Sequence, residues 1–193
     1  QIRALTISQA GMITVTQLQA LSPSVLGVML TSQISALSDA QIAGVTTEQV
    51  AGLATAQITA LGSSQLRAVE VADLVSYGSH QLRALFSSQI SAFDHSQISA
   101  LESSQVVHFT TGQVQSLGVG QISLFETAKI SALLSSQIRA LTPDQLGVLS
   151  SVQISFIQTE GVTALLSSQI VLLSAEQVEA LSTAQVISLA SSQ

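Results

Sequence analysis

A chain of 193 residues that is 47% apolar, 8% charged and of net charge −6 can bury a continuous core, and at 3% aromatic content that core is aliphatic. Five basic residues cannot build a phosphate-tracking patch or an anionic-membrane surface, which argues against nucleic-acid and electrostatic lipid partners. Without cysteine there is no disulfide or thiolate metal site, and without asparagine no N-glycosylation acceptor.

From Gln1 the chain counts in eights. Gln9, Gln17, Gln33, Gln41 and their successors form one column to Gln193, interrupted only by Val25, Asp73, Lys129 and Gly161. The chain is therefore 24 octapeptides and a terminal Gln, the signature of a solenoid. Residues 1–193 read as a single repeat array, because each repeat of such an array contacts only its neighbours. No charge falls between Ala4 and Ser38, yet Gln9, Gln17, Gln19 and Gln33 break that run too often for a membrane span.

Numbered from the Gln, column 2 is Ile, Leu or Val except at Ala10, and column 5 is apolar in all 24 octads. Column 4 is often small, as at Ala4, Ala36, Ala60 and Ala132. Strand alternation would separate columns 2 and 5, whereas helical spacing joins them as an i, i+3 pair. On a helical wheel columns 1, 2 and 5 share one sector and column 3 opposes them. Arg3, Arg67, Arg83 and Arg139 all sit in column 3.

The octad boundaries carry helix-start chemistry. In Leu37-Ser38-Asp39-Ala40-Gln41-Ile42, Ser38 and Gln41 make a capping box, flanked by a Leu37–Ile42 hydrophobic staple. Pro23 and Pro143 each follow a Ser or Thr cap at the first helical position. Nine of the eleven acidic residues lie in columns 6 to 8, where a helix N-terminus favours negative charge. Leu30, Phe86, Leu134 and Leu166 occupy the cap column, so there the next Ser or Thr must cap, or the turn must differ. One continuous helix is excluded, because eight residues are ~2.2 turns and the apolar stripe would drift by ~80° per octad.

These patterns predict an all-α solenoid of very short capped helices, each of six or seven residues. The alternative is a β-solenoid with a stacked Gln ladder. Its corners want positive-φ residues, but Gly keeps no fixed column and Ala is poor in strands. A second period suggests a sixteen-residue unit of two octads. Alternate column-5 residues are nearly all Leu, while the interleaved set carries Met29, Tyr77, Phe93, Phe109 and Phe125. Tyr77 and the three Phe then read as a locally wider core rather than an aromatic binding stripe.

No residue pattern names a reaction. His80, His95 and His108 fall in columns 8, 7 and 4, without the convergent spacing a metal needs. The carboxylates are scattered, and the Ser pairs at 63–64, 87–88, 103–104, 135–136 and 167–168 read as turns and caps. No nucleophile motif, phosphate loop or calcium repeat is present. No catalytic, cofactor-binding or metal residue is therefore assigned, and an enzyme is not expected. The Gln column could be a ladder presented to a partner or to ice, but it reads as the N3 arm of the capping box, bonding back to the N-cap N–H and to the next repeat.

The stretch Leu141-Thr142-Pro143-Asp144-Gln145-Leu146 resembles the helix opening of transcription-activator-like effector repeats. The likeness covers six residues. That family's unit is far longer and carries basic DNA contacts lacking here, so the shared part is capping chemistry. The whole array is similar to the long Ser/Thr/Gln/Ala-rich repeat regions of giant bacterial exoproteins and adhesins. That resemblance implies a secreted or surface-bound spacer with no catalytic residues.

The expected function is thus a rod, filament or spacer segment outside the cell or at its surface. The alternative is a binding solenoid facing a protein, a polysaccharide or ice. Apolar columns run to both ends without a polar cap, as in Ile2, Leu5 and Ile13 or Val186 and Leu189. The segment is therefore expected to be the interior of a longer array, or to self-associate end to end.

Overall fold

The computed structural model describes residues 1–189. Every element among them is helical: a 3-10 turn at Ile2–Ala4, then 23 α-helices opening with α1 (Ile7–Gly11), α2 (Val15–Gln19), α3 (Pro23–Gly27) and α4 (Thr31–Ser35). The all-α solenoid is what the chain adopts, and the β-solenoid alternative falls. Its physical weakness was the missing corner residue. No described residue has positive φ, so every turn is built from right-handed and extended backbone that any side chain tolerates.

The helices are shorter than the six or seven residues expected, running from four at Ser87–Ile90 to six at Ser63–Ala68. Each occupies column 7 to about column 3, with its N-cap in column 6. The chain then leaves the helix, and Val69 and Leu117 in column 5 are extended, with ψ 125° and 130°. Column 5 is therefore a linker residue, but its N–H still closes a turn on the column-2 carbonyl, as Leu37 does on Ile34 at 3.2 Å. That bond holds the two apolar side chains on one face.

Helix starts follow the capping chemistry. Ser38 Oγ accepts the Gln41 N–H at 3.3 Å, and the Ser38 N–H donates to Gln41 Oε1 at 2.6 Å. Where Leu30, Phe86, Leu134 or Leu166 fills the cap column the turn does not differ. The Gln arm works alone there, accepting the cap residue's N–H at 2.7–2.8 Å.

The stacking interval departs from the sixteen-residue unit. α4 packs on α1, Asp39–Ala43 on α2 and Thr47–Ala51 on α3, three octads or 24 residues on. Three helices complete a coil and the fourth returns above the first. A sixteen-residue hairpin needs the chain to reverse at every linker. The extended column-5 linkers instead redirect it by about a third of a turn. The sixteen-residue alternation records which side chains fill column 5, not how coils stack.

The chain divides into two compact units, Gln1–Ala100 and Leu101–Gln193. In the second, Thr127–Ala132 packs on Ser103–Val106 and Ser135–Ala140 on Thr111–Ser116, so the same rule holds there. Columns 2 and 5 form each core: Ile34, Ile58, Leu66 and Ile98 in the first unit, and Leu101, Ile138, Leu146 and Ile154 in the second, are all buried. Tyr77 and Phe93 in one unit, and Phe109 and Phe125 in the other, are buried too, so the rings widen the core as expected. Arg3, Arg67, Arg83 and Arg139 are exposed.

Candidate functional site

The polar feature that organises the molecule is internal. The column-1 glutamines from Gln33 onward are buried among the described residues, and each sits at the third residue of its helix. An unpaired buried amide is costly, so its partners have to be found inside the stack.

Gln97 shows the arrangement. Its Oε1 accepts the Asp94 N–H at 3.0 Å, completing the cap of its own helix. Its Nε2 donates to the Leu66 and Val69 carbonyls, both at 2.8 Å, one coil below. Gln57 does the same with Ala54 N–H, Leu26 O and Met29 O, each at 2.9 Å. In the second unit Gln145 takes Thr142 N–H and gives to Val114 and Leu117 O at 2.8 and 2.7 Å. The carbonyls lie 31 and 28 residues back, in columns 2 and 5 of an earlier octad.

Glutamine suits this position. It joins one acceptor and two donors in a neutral head at the end of two methylenes. Glutamate would keep the cap but lose both donors, and asparagine would be a methylene short. The glutamine thus clamps two coils while starting its own helix.

The interruptions show what the clamp requires. Asp73 is 3% exposed and accepts from Thr47 Oγ1 at 2.6 Å, a contact to the helix one coil below. Asp73 lacks the amide N–H that a glutamine would give the Val45 carbonyl, 28 residues back, which accepts no side-chain donor among the described residues. Burial, with the Asp73 charge adding to it, pushes the Tyr77 phenol well above the ordinary tyrosine range. Lys129 is also buried, and desolvation lowers its pKa against the opposing pull of Glu126. At Gly161 the Ile157 and Ile138 side chains close over the position; a Cβ there would lie 2.8 Å from Ile157 Cγ2. A glutamine there would require the Ile157 side chain to shift.

Among the described residues the surface brings no reacting constellation together. His80 and His95 are exposed and His108 half-buried, and no group of three or more His, Cys, Asp or Glu converges among the described residues. His80 Nδ1 lies 3.2 Å from Ser79 Oγ, without a carboxylate to orient it. A groove of about 630 Å³ runs past Leu124, Val148 and Val152, with Glu126 its single ionisable lining group. Asp94 is held below the usual carboxylate range by the Ser96 hydroxyl and then the Gln97 N–H, a helix-cap effect at an exposed site. No described helix is long and apolar enough to cross a membrane.

The bond to the N-cap N–H is where the sequence predicts it, but the second bond does not go to the next repeat: Nε2 of Gln97 reaches carbonyls 31 and 28 residues back. The Thr47–Asp73 contact was not foreseen. The signal was the joint burial of columns 1, 2 and 5, which requires an internal partner for the amide. Compared with protein-family models and with curated proteins, the chain matches none.

Proposed function

We propose that this chain is a non-catalytic structural array: a rod, filament or spacer segment of an extracellular or surface-associated protein. One observation carries the reading. The repeated polar group, the glutamine amide, is engaged inside the stack from Gln33 onward among the described residues and so is not presented to a ligand there. Column 3, which faces outward, mixes Arg, Ser, Gly, Val, Gln and Thr. The array's partners are further coils of the same chemistry, from flanking repeats or from other copies. The surface location rests on the likeness to exoprotein and adhesin repeat regions.

Binding to immobilised glycans and shaping of growing ice crystals test this reading. Inertness in both is expected; saturable binding to a glycan or faceting of ice would replace the spacer with the binding solenoid.

A further inference from the structure

One column-1 position inside the first unit is held differently from its neighbours. On either side of it in the chain, Gln65 donates from Nε2 to the Ile34 and Leu37 carbonyls at 3.1 and 2.7 Å, and Gln81 to the Val50 and Leu53 carbonyls at 3.1 and 2.9 Å. Between them stands Asp73, 3% exposed, at the third residue of Val71–Val75. The backbone there is unchanged: its N-cap Glu70 has φ −65° and ψ 149°, against −68° and 152° at Ala54. Val71–Val75 packs on Thr47–Ala51 one coil below, by the same 24-residue rule as its neighbours. Interior clamps reach 31 and 28 residues back, and from Asp73 those carbonyls belong to Ile42 and Val45.

The polar groups that converge below Asp73 are oxygens. A side chain one methylene shorter than glutamine stops about 1.5 Å short of where the interior amides place Nε2. The carboxylate turns to Thr47 Oγ1, which donates to it at 2.6 Å. No side-chain donor reaches the Ile42 or Val45 carbonyl among the described residues. The Ile42 carbonyl takes the Val45 N–H at 3.1 Å and keeps a second lone pair. Both carbonyls follow from the C-terminal end of Asp39–Ala43, the end of a helix that favours positive charge. The charge of Asp73 has no basic neighbour to meet it. Asp39–Ala43, Thr47–Ala51, Val71–Val75 and His95–Ala100, which packs on it from above, contain no Lys or Arg. Their other ionisable groups are Asp39, Glu48 and His95, all exposed.

A buried charge is paired or holds a metal ion. A bridging water supplies hydrogens to the carbonyls but leaves the carboxylate charge uncompensated. We propose that the Asp73 carboxylate, the Thr47 hydroxyl oxygen and the Ile42 and Val45 carbonyls bind one alkali cation, sodium or potassium, where the amide nitrogen lies at the other column-1 positions. Carbonyls at a helix end, with a hydroxyl and a carboxylate, are hard oxygen ligands suited to such an ion. One carboxylate balances one charge, which selects a monovalent ion over calcium, because a divalent ion leaves a net positive charge buried. The cation does for this contact what the glutamine amide does elsewhere, tying a coil to the one beneath. The site goes beyond the structural-array reading and does not depend on it.

Urea unfolding of the 193-residue chain in sodium, potassium and tetramethylammonium chloride at equal concentration tests it, because the last cation is too large to enter. The parent is expected to be more stable in sodium or potassium. At about ten times the ion's dissociation constant its folding equilibrium constant rises about tenfold. Asp73→Gln restores the amide, and Asp73→Asn keeps an acceptor for Thr47 while removing the charge. Both variants are expected to show no such preference among the three salts. In tetramethylammonium chloride Asp73→Gln is expected to be more stable than the parent, because its amide supplies the missing donor; sodium or potassium closes that gap. A parent that does not distinguish the alkali ions from tetramethylammonium overturns the site. An alkali-specific gain that persists in both variants overturns its assignment to Asp73. Circular dichroism matching the parent confirms that each variant is folded.

Discussion

At the residue scale, one neutral side chain performs two tasks that are usually separate. Glutamine at the third helical position starts its helix and ties the coil to the one beneath. The exceptions make this testable. Asp73 cannot donate, so Asp73→Gln is expected to raise stability by about 1 kcal/mol by supplying the Val45 carbonyl with a donor. Urea unfolding measures it, and a loss of stability would show that the Thr47–Asp73 bond outweighs the clamp. Lys129 gives a pH signature. Its folded pKa is depressed by desolvation, so between that value and the ordinary lysine value the unfolded chain binds more protons. Stability relative to Lys129→Gln is therefore expected to rise with pH across that window; the Tyr77 contribution is common to both proteins and cancels. A flat difference between the two pH profiles would contradict it. The capping role of the glutamine column was legible from the Ser38–Gln41 spacing; its burial was implied by a wheel sector shared with two apolar columns but was not drawn from it. The Thr47–Asp73 contact was not, because it joins residues 26 apart and depends on the number of octads per coil.

At the element scale, helices of four to six residues cannot persist alone. Each is fixed by its cap at one end and by the column-5 linker at the other, and it gains stability only when stacked. Leu101 is 1% exposed in that linker column, so Leu101→Ala is expected to cost about 2–5 kcal/mol. A change within about 0.5 kcal/mol would show that column 5 does not form the core. Far-UV circular dichroism is expected to show the double minimum of helix; a single strand-type minimum near ~218 nm would contradict the fold itself. Helix type was readable from boundary chemistry in octads such as Ser38–Gln41, with Pro23 and Pro143 marking first turns. Helix length was overestimated because the wheel treats column 5 as helical, whereas the Leu37 N–H to Ile34 O turn keeps it on the same face outside the helix. The three-octad coil was hidden for a related reason. Side-chain alternation at Leu101, Phe109, Leu117 and Phe125 reports local volume, while the coil is set by the angle at each linker.

At the scale of the whole molecule, each unit is an array in which a coil contacts the coils before and after it. Stability is then a sum of weak intrinsic terms and stronger interface terms. A large part of each interface term lies in one amide, so the same substitution is expected to be costly inside the column and nearly neutral outside it. Gln97 is 1% exposed and joined to Asp94, Leu66 and Val69, whereas Gln115 in column 3 is exposed. Leucine matches glutamine closely in volume, so the pair isolates hydrogen bonding from packing. The decisive measurement is the urea-unfolding free energy of Gln97→Leu beside that of Gln115→Leu. A loss of about 2–4 kcal/mol is expected at Gln97, where two carbonyls and an N–H are left buried, and a change within about 0.5 kcal/mol at Gln115. Equal effects at the two positions, or a more stable Gln97→Leu protein, would contradict it.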